Sequence, residues 1–323
     1  MKKKLLFAIL LLGLLILTLW RFDSESLLHS ITQIPLWLVI LLAGLQIVSQ
    51  LLVNTLWHRI AKLTDMSISF GRMLYINCQG AVVDSITPGV KFGGEVTRAV
   101  QISRLGNCTG EQAATVVAMQ KLFSLSALLA IFLFAAGLLI NGIPLLQNMY
   151  LQFSLYSIVL SLLALFLAVF LAPRYIREYF QKRRDPRFAW TYRVRSFLLT
   201  LLEQVDNVRK NPKRCVALLL LAVLIWLLYP IKLYLLAIQF VPSVSTVYIW
   251  SIAFLAYMVA MIPIFPGGLG GFEGTMSGLL VAVGLMISDA AVITALFRFI
   301  TFWFVMVLSL AFITFYKARC ARV

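Results

Sequence analysis

The sequence is dominated by apolar runs long enough to cross a lipid bilayer. Pro35 to Leu56, Gln112 to Ile140, Leu151 to Ala172, Cys215 to Phe240 and Ala290 to Tyr316 each match the roughly 20 residues that a helix needs to traverse about 30 Å of hydrocarbon. Backbone polar groups inside lipid find no water, so such runs close their hydrogen bonds internally, as helices. A shorter run, Leu5 to Leu19, follows the basic Met1-Lys2-Lys3-Lys4. It reads as an uncleaved first transmembrane helix, because Thr18-Leu19-Trp20-Arg21 offers no small-residue cleavage site.

Two further apolar stretches, Met73 to Ile86 and Thr275 to Ile287, are too short to span and lie beside Gly/Pro-rich breaks, as re-entrant or half-helices do. The expected fold is an all-α polytopic integral membrane protein with about six full transmembrane helices plus two re-entrant or broken helices. The whole chain, 1–323, then forms one membrane domain.

Composition agrees: 62% of residues are hydrophobic and 12% charged, against about 25% charged in a soluble domain. The net charge of +16 would suggest nucleic acid in a soluble chain, but no nucleic-acid module is present. Its distribution reports orientation instead. Segments 1–4, 58–72, 174–214 and 317–323 carry +3, +2, +8 and +3, which accounts for the whole net charge. Basic residues favour the cytoplasmic side, so both termini are expected there.

Within the basic segment 174–214, Trp190, Val194, Phe197, Leu198, Leu201, Leu202, Val205 and Val208 form one helical stripe. Two readings are open: a helix lying on the membrane surface with Arg193 and Arg195 toward anionic headgroups, or a connecting helix packed on the bundle. The two histidines, His29 and His58, and the scattered Cys78, Cys108, Cys215 and Cys320 form no metal-ligand spacing. No metal or cofactor is expected.

The two breaks resemble each other. Thr87-Pro88-Gly89-Val90-Lys91-Phe92-Gly93-Gly94-Glu95 and Phe265-Pro266-Gly267-Gly268-Leu269-Gly270-Gly271-Phe272-Glu273 both contain Pro-Gly, a Gly-Gly pair and a Glu seven residues after the Pro. Each is followed by one basic residue in an apolar helix, Lys121 or Arg298. The positive-inside topology opens the first break from the cytoplasm and the second from outside, which makes the units inverted repeats, about 35–140 and 215–316. Proline stops a helix, and a half-helix starting after it aims unsatisfied N–H groups at its surroundings, which suits a phosphate or carboxylate.

Charges inside apolar spans cost ~2.5–3.5 kcal/mol each on insertion scales, so they need partners or water. Spacing pairs Glu95 with Lys121 and Glu273 with Arg298, either as structural ion pairs or as a headgroup or coupling-ion site. Lys232, after Pro230, is a candidate for the same cavity, and Asp84 reads equally well as a helix-end residue.

Pro266-Gly267-Gly268-Leu269-Gly270-Gly271-Phe272-Glu273-Gly274, continuing to Ala295-Leu296-Phe297-Arg298, resembles the C-terminal signature of the lysylphosphatidylglycerol synthase transmembrane-region family of flippase-like proteins. Thr87-Pro88 through Gly93-Gly94-Glu95-Val96-Thr97-Arg98-Ala99 resembles its N-terminal signature. One departure is Gln120-Lys121, where the family usually carries an acidic-Arg pair. The resemblance implies transfer of a phospholipid, glycolipid or related lipid between leaflets. On this reading Glu95, Arg98, Lys121, Glu273 and Arg298 line a polar interior, with Arg98 or Arg298 on an anionic headgroup. The chain ends seven residues after the last apolar run, which leaves no aminoacyl transferase domain and no enzymatic activity expected. The competing expectation is a non-catalytic scaffold for a cytosolic lipid-modifying transferase, docked on Arg174 to Arg214; a homo-oligomer is a further possible partner arrangement.

Overall fold

The structure is a computed structural model and describes residues 29–64, 66–87, 92–139, 149–182, 189–242, 245–261 and 268–320. Among these it contains twelve α-helices and one π-helical turn, with no strand. In chain order they are α1 Leu36–Leu63, α2 Phe70–Ile86, α3 Phe92–Leu105, α4 Gly110–Leu139, α5 Met149–Leu171 and α6 Pro173–Lys182. There follow α7 Ala189–Arg209, α8 Pro212–Ala237, α9 Thr246–Ala260, α10 Gly271–Ala282, α11 Ile287–Arg298, the π turn Phe299–Trp303 and α12 Phe304–Cys320.

Among the described residues four helices are long and apolar enough to cross a membrane: α1, α4, α8 and the continuous rod of α11, the π turn and α12. The run Leu151 to Ala172 forms most of α5, whose last turns and α6 meet at a bend of 81°. Pro173 sits in the first position of α6, where its missing N–H breaks no hydrogen bond. The expected N-terminal span, Leu5 to Leu19, lies outside the described residues, as do Pro88, Pro266 and Gly267.

Helix starts follow local chemistry. Thr109 and Gln112 cap α4 reciprocally: the Gln112 N–H donates to Thr109 Oγ1 at 3.3 Å, and the Thr109 N–H to Gln112 Oε1 at 3.0 Å. Asn211 caps α8 by accepting from the Arg214 N–H, with Pro212 just inside.

An order of elements recurs: span, short helix, break, short helix, span. It runs α1, α2, α3, α4 and again α8, α9, α10, then the rod that α11 begins. Packing recurs with it, since α2 lies on α3 as α9 lies on α10, and α1 touches α4 as α8 touches α11. The sequence reading missed α9, a 15-residue apolar helix too short to register as a span. Two apolar cores lie one mainly in each set, with Leu38 and Leu42 of α1 crossing into the second and Trp226 and Phe254 of α8 and α9 into the first. One gathers Trp57, Ile60, Met73, Phe123 and Phe132; the other gathers Leu42, Leu236, Ile252, Phe272 and Phe297. Tyr229 and Tyr257 pack against both.

The basic segment 174–214 forms two helices and the start of a third. Leu202, Val205 and Val208 are buried and α7 packs on α4, so this end of the apolar stripe faces the bundle, while Val194 of the same stripe is exposed. Arg174 and Arg177 pair with Asp206 and Glu203, and Ser196 donates to Glu111 at 2.6 Å. The side chains of Trp190 and Arg193 lie outside the described residues.

The last rod joins the two halves. Its α11 packs on α10, whereas α12 packs on α2, where Tyr316 stacks on Tyr75 with ring centroids 4.6 Å apart.

Candidate functional site

At the first break α2 and α3 form an antiparallel pair whose facing residues must be small. Gly94 in α3 meets Asp84 of α2 so closely that a Cβ there would lie 2.1 Å from Asp84 Oδ1. Gly80 gives the same clearance to the Arg98 side chain, which a Cβ would approach to 2.5 Å, and Gly93 faces Thr87. The glycines thus let a carboxylate and a guanidinium lie between two helices in near contact.

The ionic cluster follows from that approach. Asp84 Oδ1 accepts from the Gly94 N–H at 3.0 Å, and its Oδ2 accepts from Arg98 Nη1 at 3.0 Å. The same Nη1 donates to Glu95 Oε1 at 3.1 Å, and Lys121 Nζ lies 2.7 Å from that oxygen. Arg98 also lies over the Trp57 ring, 5.6 Å from its centroid. Two acids and two bases balance formally. Three of them are nearly sealed; the Lys121 side chain is 35% exposed and so is the one through which the cluster opens.

The second break repeats the chemistry in a different arrangement. Gly268 and Gly270 adopt φ of +72° and +86°, left-handed conformations that glycine takes without a Cβ penalty. They turn the chain into α10, which Gly271 begins. Glu273 Oε2 accepts from the Gly270 N–H at 2.7 Å, and Glu273 Oε1 lies 2.9 Å from Arg298 Nε. Arg298 stands between the rings of Phe272 and Phe302, at 4.8 and 4.3 Å from their centroids. Exposure is reversed here: the Arg298 side chain is 8% exposed and Glu273 30%. The first break therefore presents a cation and the second an anion.

Both ion pairs read from spacing, Glu95 with Lys121 and Glu273 with Arg298, are present. Three expectations need correction. Asp84 is no simple helix-end residue; it holds Arg98 and the start of α3 together. Each half-helix N-terminus donates an N–H to a carboxylate of the chain itself, Asp84 or Glu273, so those donors are not left open to a ligand. Lys232 does not share either break: it is buried against α1, bonded to Gln46 and Ser49.

Sequence reasoning also missed two polar links between helices. Asn77 Nδ2 donates to Asn54 Oδ1 at 2.9 Å, tying α2 to α1. Trp226 Nε1 donates to the Ser124 carbonyl at 2.9 Å, tying α8 to α4 one turn beyond Lys121. Neither has a sequence signal beyond a polar residue in an apolar run.

Comparison with known proteins gives the family. The profile described as "Lysylphosphatidylglycerol synthase TM region" matches residues 4–309. The chain is 27% identical over 260 residues to a UPF0104 membrane protein of Methanothermobacter thermautotrophicus, covering 75% of each chain. It is 23% identical over 317 residues to a UPF0104 membrane protein of Pyrococcus horikoshii, covering 93% of each. A UPF0104 membrane protein of Methanocaldococcus jannaschii is 24% identical over 277 residues, with 82% of this chain and 80% of the relative covered. With the profile spanning nearly its whole length, the chain belongs to the lysylphosphatidylglycerol synthase transmembrane-region family, as a multi-pass integral membrane protein.

Proposed function

We propose that this protein moves a lipid with an anionic headgroup between the leaflets of the bacterial inner membrane, with Lys121 as the residue that meets the headgroup. The observation that carries this reading is the part-exposed side chain of Lys121 on an otherwise nearly sealed ionic cluster inside an apolar helix bundle. Intramembrane charge is retained against its desolvation cost mainly where it serves a pathway or site. Glu95 restrains Lys121 but uses only one of its three N–H donors, so a phosphate oxygen has partners without dismantling the cluster.

Arg98, fixed by Asp84 and Glu95, supports that charge from behind. The two broken units are arranged as inverted repeats, and rocking one against the other exposes the headgroup to alternate sides. Both termini face the cytoplasm, in keeping with the charge distribution. The protein makes or breaks no covalent bond in the lipid.

The test is transfer of a fluorescent anionic phospholipid in proteoliposomes, assayed by dithionite protection. Lys121→Ala should slow transfer at least about tenfold, corresponding to loss of one charge-assisted contact, with an unchanged elution profile and helical content. Lys121→Arg should retain most of the rate. Transfer by Lys121→Ala at the wild-type rate would refute the site, and mass spectrometry showing a chemically altered lipid would refute the non-enzymatic reading.

A further inference from the structure

The chain leaves α5 sideways. The last turns of α5 meet α6 at 81°, and Arg209 holds the corner, since its Nη1 donates to the Leu171 carbonyl at the end of α5. A helix that departs from an apolar span at nearly a right angle runs close to the plane of the bilayer, at the depth where hydrocarbon gives way to headgroups. Helix α7 returns along it. Arg174 pairs with Asp206, Arg177 with Glu203, and Arg195 Nη2 donates to the Gln181 carbonyl at 3.2 Å, so α6 and α7 form an antiparallel hairpin.

This pairing uses one side of α6. Pro173 is buried and Ile176, Arg177 and Phe180 are half-buried, at the three- and four-residue spacing of a single helix face. Tyr175, Tyr179 and Lys182 form the opposite row, in which Tyr175 is 80% exposed, Tyr179 55% and the Lys182 side chain 81%. The row continues one that begins in α5: Leu167, Leu171, Tyr175 and Tyr179 follow at intervals of four, and all are exposed. Helix α7 adds exposed Tyr192 and Val194 at its start, although Leu202, Val205 and Val208 further along it are buried.

Three features select a lipid surface as the partner of this face. It is continuous with the exposed apolar side of α5. Tyrosine joins an apolar ring to a polar tip, which suits the membrane–water interface. The segment 174–214 carries +8, which draws it to anionic headgroups. We propose that α6 and the start of α7 rest on anionic lipid headgroups of the leaflet at which α5 ends, with Tyr175 and Tyr179 seated in the interfacial layer and Lys182 against phosphates. Glu178 lies 4.0 Å from the Lys182 ammonium and leaves it N–H donors for a phosphate oxygen. Because Ser196 of α7 donates to Glu111, the hairpin also sets the level of the first turn of α4. This surface stands or falls independently of lipid transfer through Lys121.

The test places an environment-sensitive dye on Gln181→Cys in an otherwise cysteine-free full-length protein. The protein is reconstituted in nanodiscs of phosphatidylcholine alone and of phosphatidylcholine mixed equally with phosphatidylglycerol. Headgroup-spin-labelled lipid should quench the dye at least about twofold more in the mixed discs, and acrylamide in the water correspondingly less. Lys182→Glu should remove at least about half of that difference. The double variant Tyr175→Ser/Tyr179→Ser should weaken lipid quenching in both discs. All three positions are exposed, so elution profile and helical content should stay unchanged. A dye equally open to acrylamide in both discs and unquenched by the lipid label would overturn the proposal and leave the face to a cytosolic protein. Lipid quenching that neither variant alters would overturn it as well.

Discussion

Asp84 and Gly94 are joined across the first break by a hydrogen bond from the Gly94 N–H to Asp84 Oδ1, at 3.0 Å. The bond exists only because position 94 has no side chain, since a Cβ would fall 2.1 Å from the same oxygen. Gly94→Ala must therefore displace a carboxylate that also holds Arg98. The expected loss is about 2–3 kcal/mol of stability, seen as a lower unfolding temperature of the purified protein. Gly274, in α10, is the control. Nothing lies within 4 Å of its notional Cβ, so Gly274→Ala should be neutral or stabilising by up to about 1 kcal/mol.

Arg98 separates two carboxylates that are both nearly buried. Arg98→Leu removes the guanidinium that bonds both Asp84 and Glu95, and should destabilise by about 3–5 kcal/mol. Adding Asp84→Asn removes one of the two carboxylate charges and should restore a measurable part of that loss. A double-mutant cycle on unfolding free energies checks the coupling; additive single effects would contradict the ionic contact.

Arg298 depends on stacking as well as on charge, because its guanidinium is held between Phe272 and Phe302. Arg298→Lys keeps the charge opposite Glu273 but loses the flat group between two rings, with an expected cost of about 1 kcal/mol. Arg298→Leu should cost less than Arg98→Leu. The partner it leaves, Glu273, is part-exposed and still accepts from the Gly270 N–H. Melting temperatures of the three variants give the order.

Orientation can be read by cysteine labelling in intact cells. In a cysteine-free background, Lys210→Cys and Lys317→Cys should resist a membrane-impermeant maleimide until the cells are permeabilised. Met286→Cys, at an exposed position just before α11, should label from outside. The reverse pattern would invert the topology.

Much of the architecture was legible because lipid imposes one rule, that apolar length becomes helix length. Both ion pairs were legible from recurrence: an acidic residue after Pro-Gly and one basic residue about 25 positions on. Three features were not legible, each for a physical reason. Thr246–Ala260 is shorter than a bilayer span, so hydropathy alone gave it no distinction from a loop flank. Asp84 reaches Arg98 through a chain reversal whose geometry follows from glycine clearances and not from any period. Lys232 turns toward α1 because Gln46 and Ser49 occupy one face of that helix, a match between helices distant in sequence.

The π turn Phe299–Trp303 sets the phase of the last rod. In an uninterrupted α-helix, residues 18 apart point the same way, so Arg298 and Tyr316 would share a face. The residue that the π turn accommodates shifts everything after it by roughly 100°, the rotation of one helical residue. Arg298 can then engage Glu273 while Tyr316 stacks on Tyr75. The rod thus works like a camshaft with two lobes cut at different angles, one seated in each half of the molecule. Deleting a single residue from the turn should leave both lobes seated, because the remaining 17 steps of about 100° reproduce the same phase, whereas drawing the turn into plain α-helix with all its residues kept would bring the lobes into line and force one of them out of its seat.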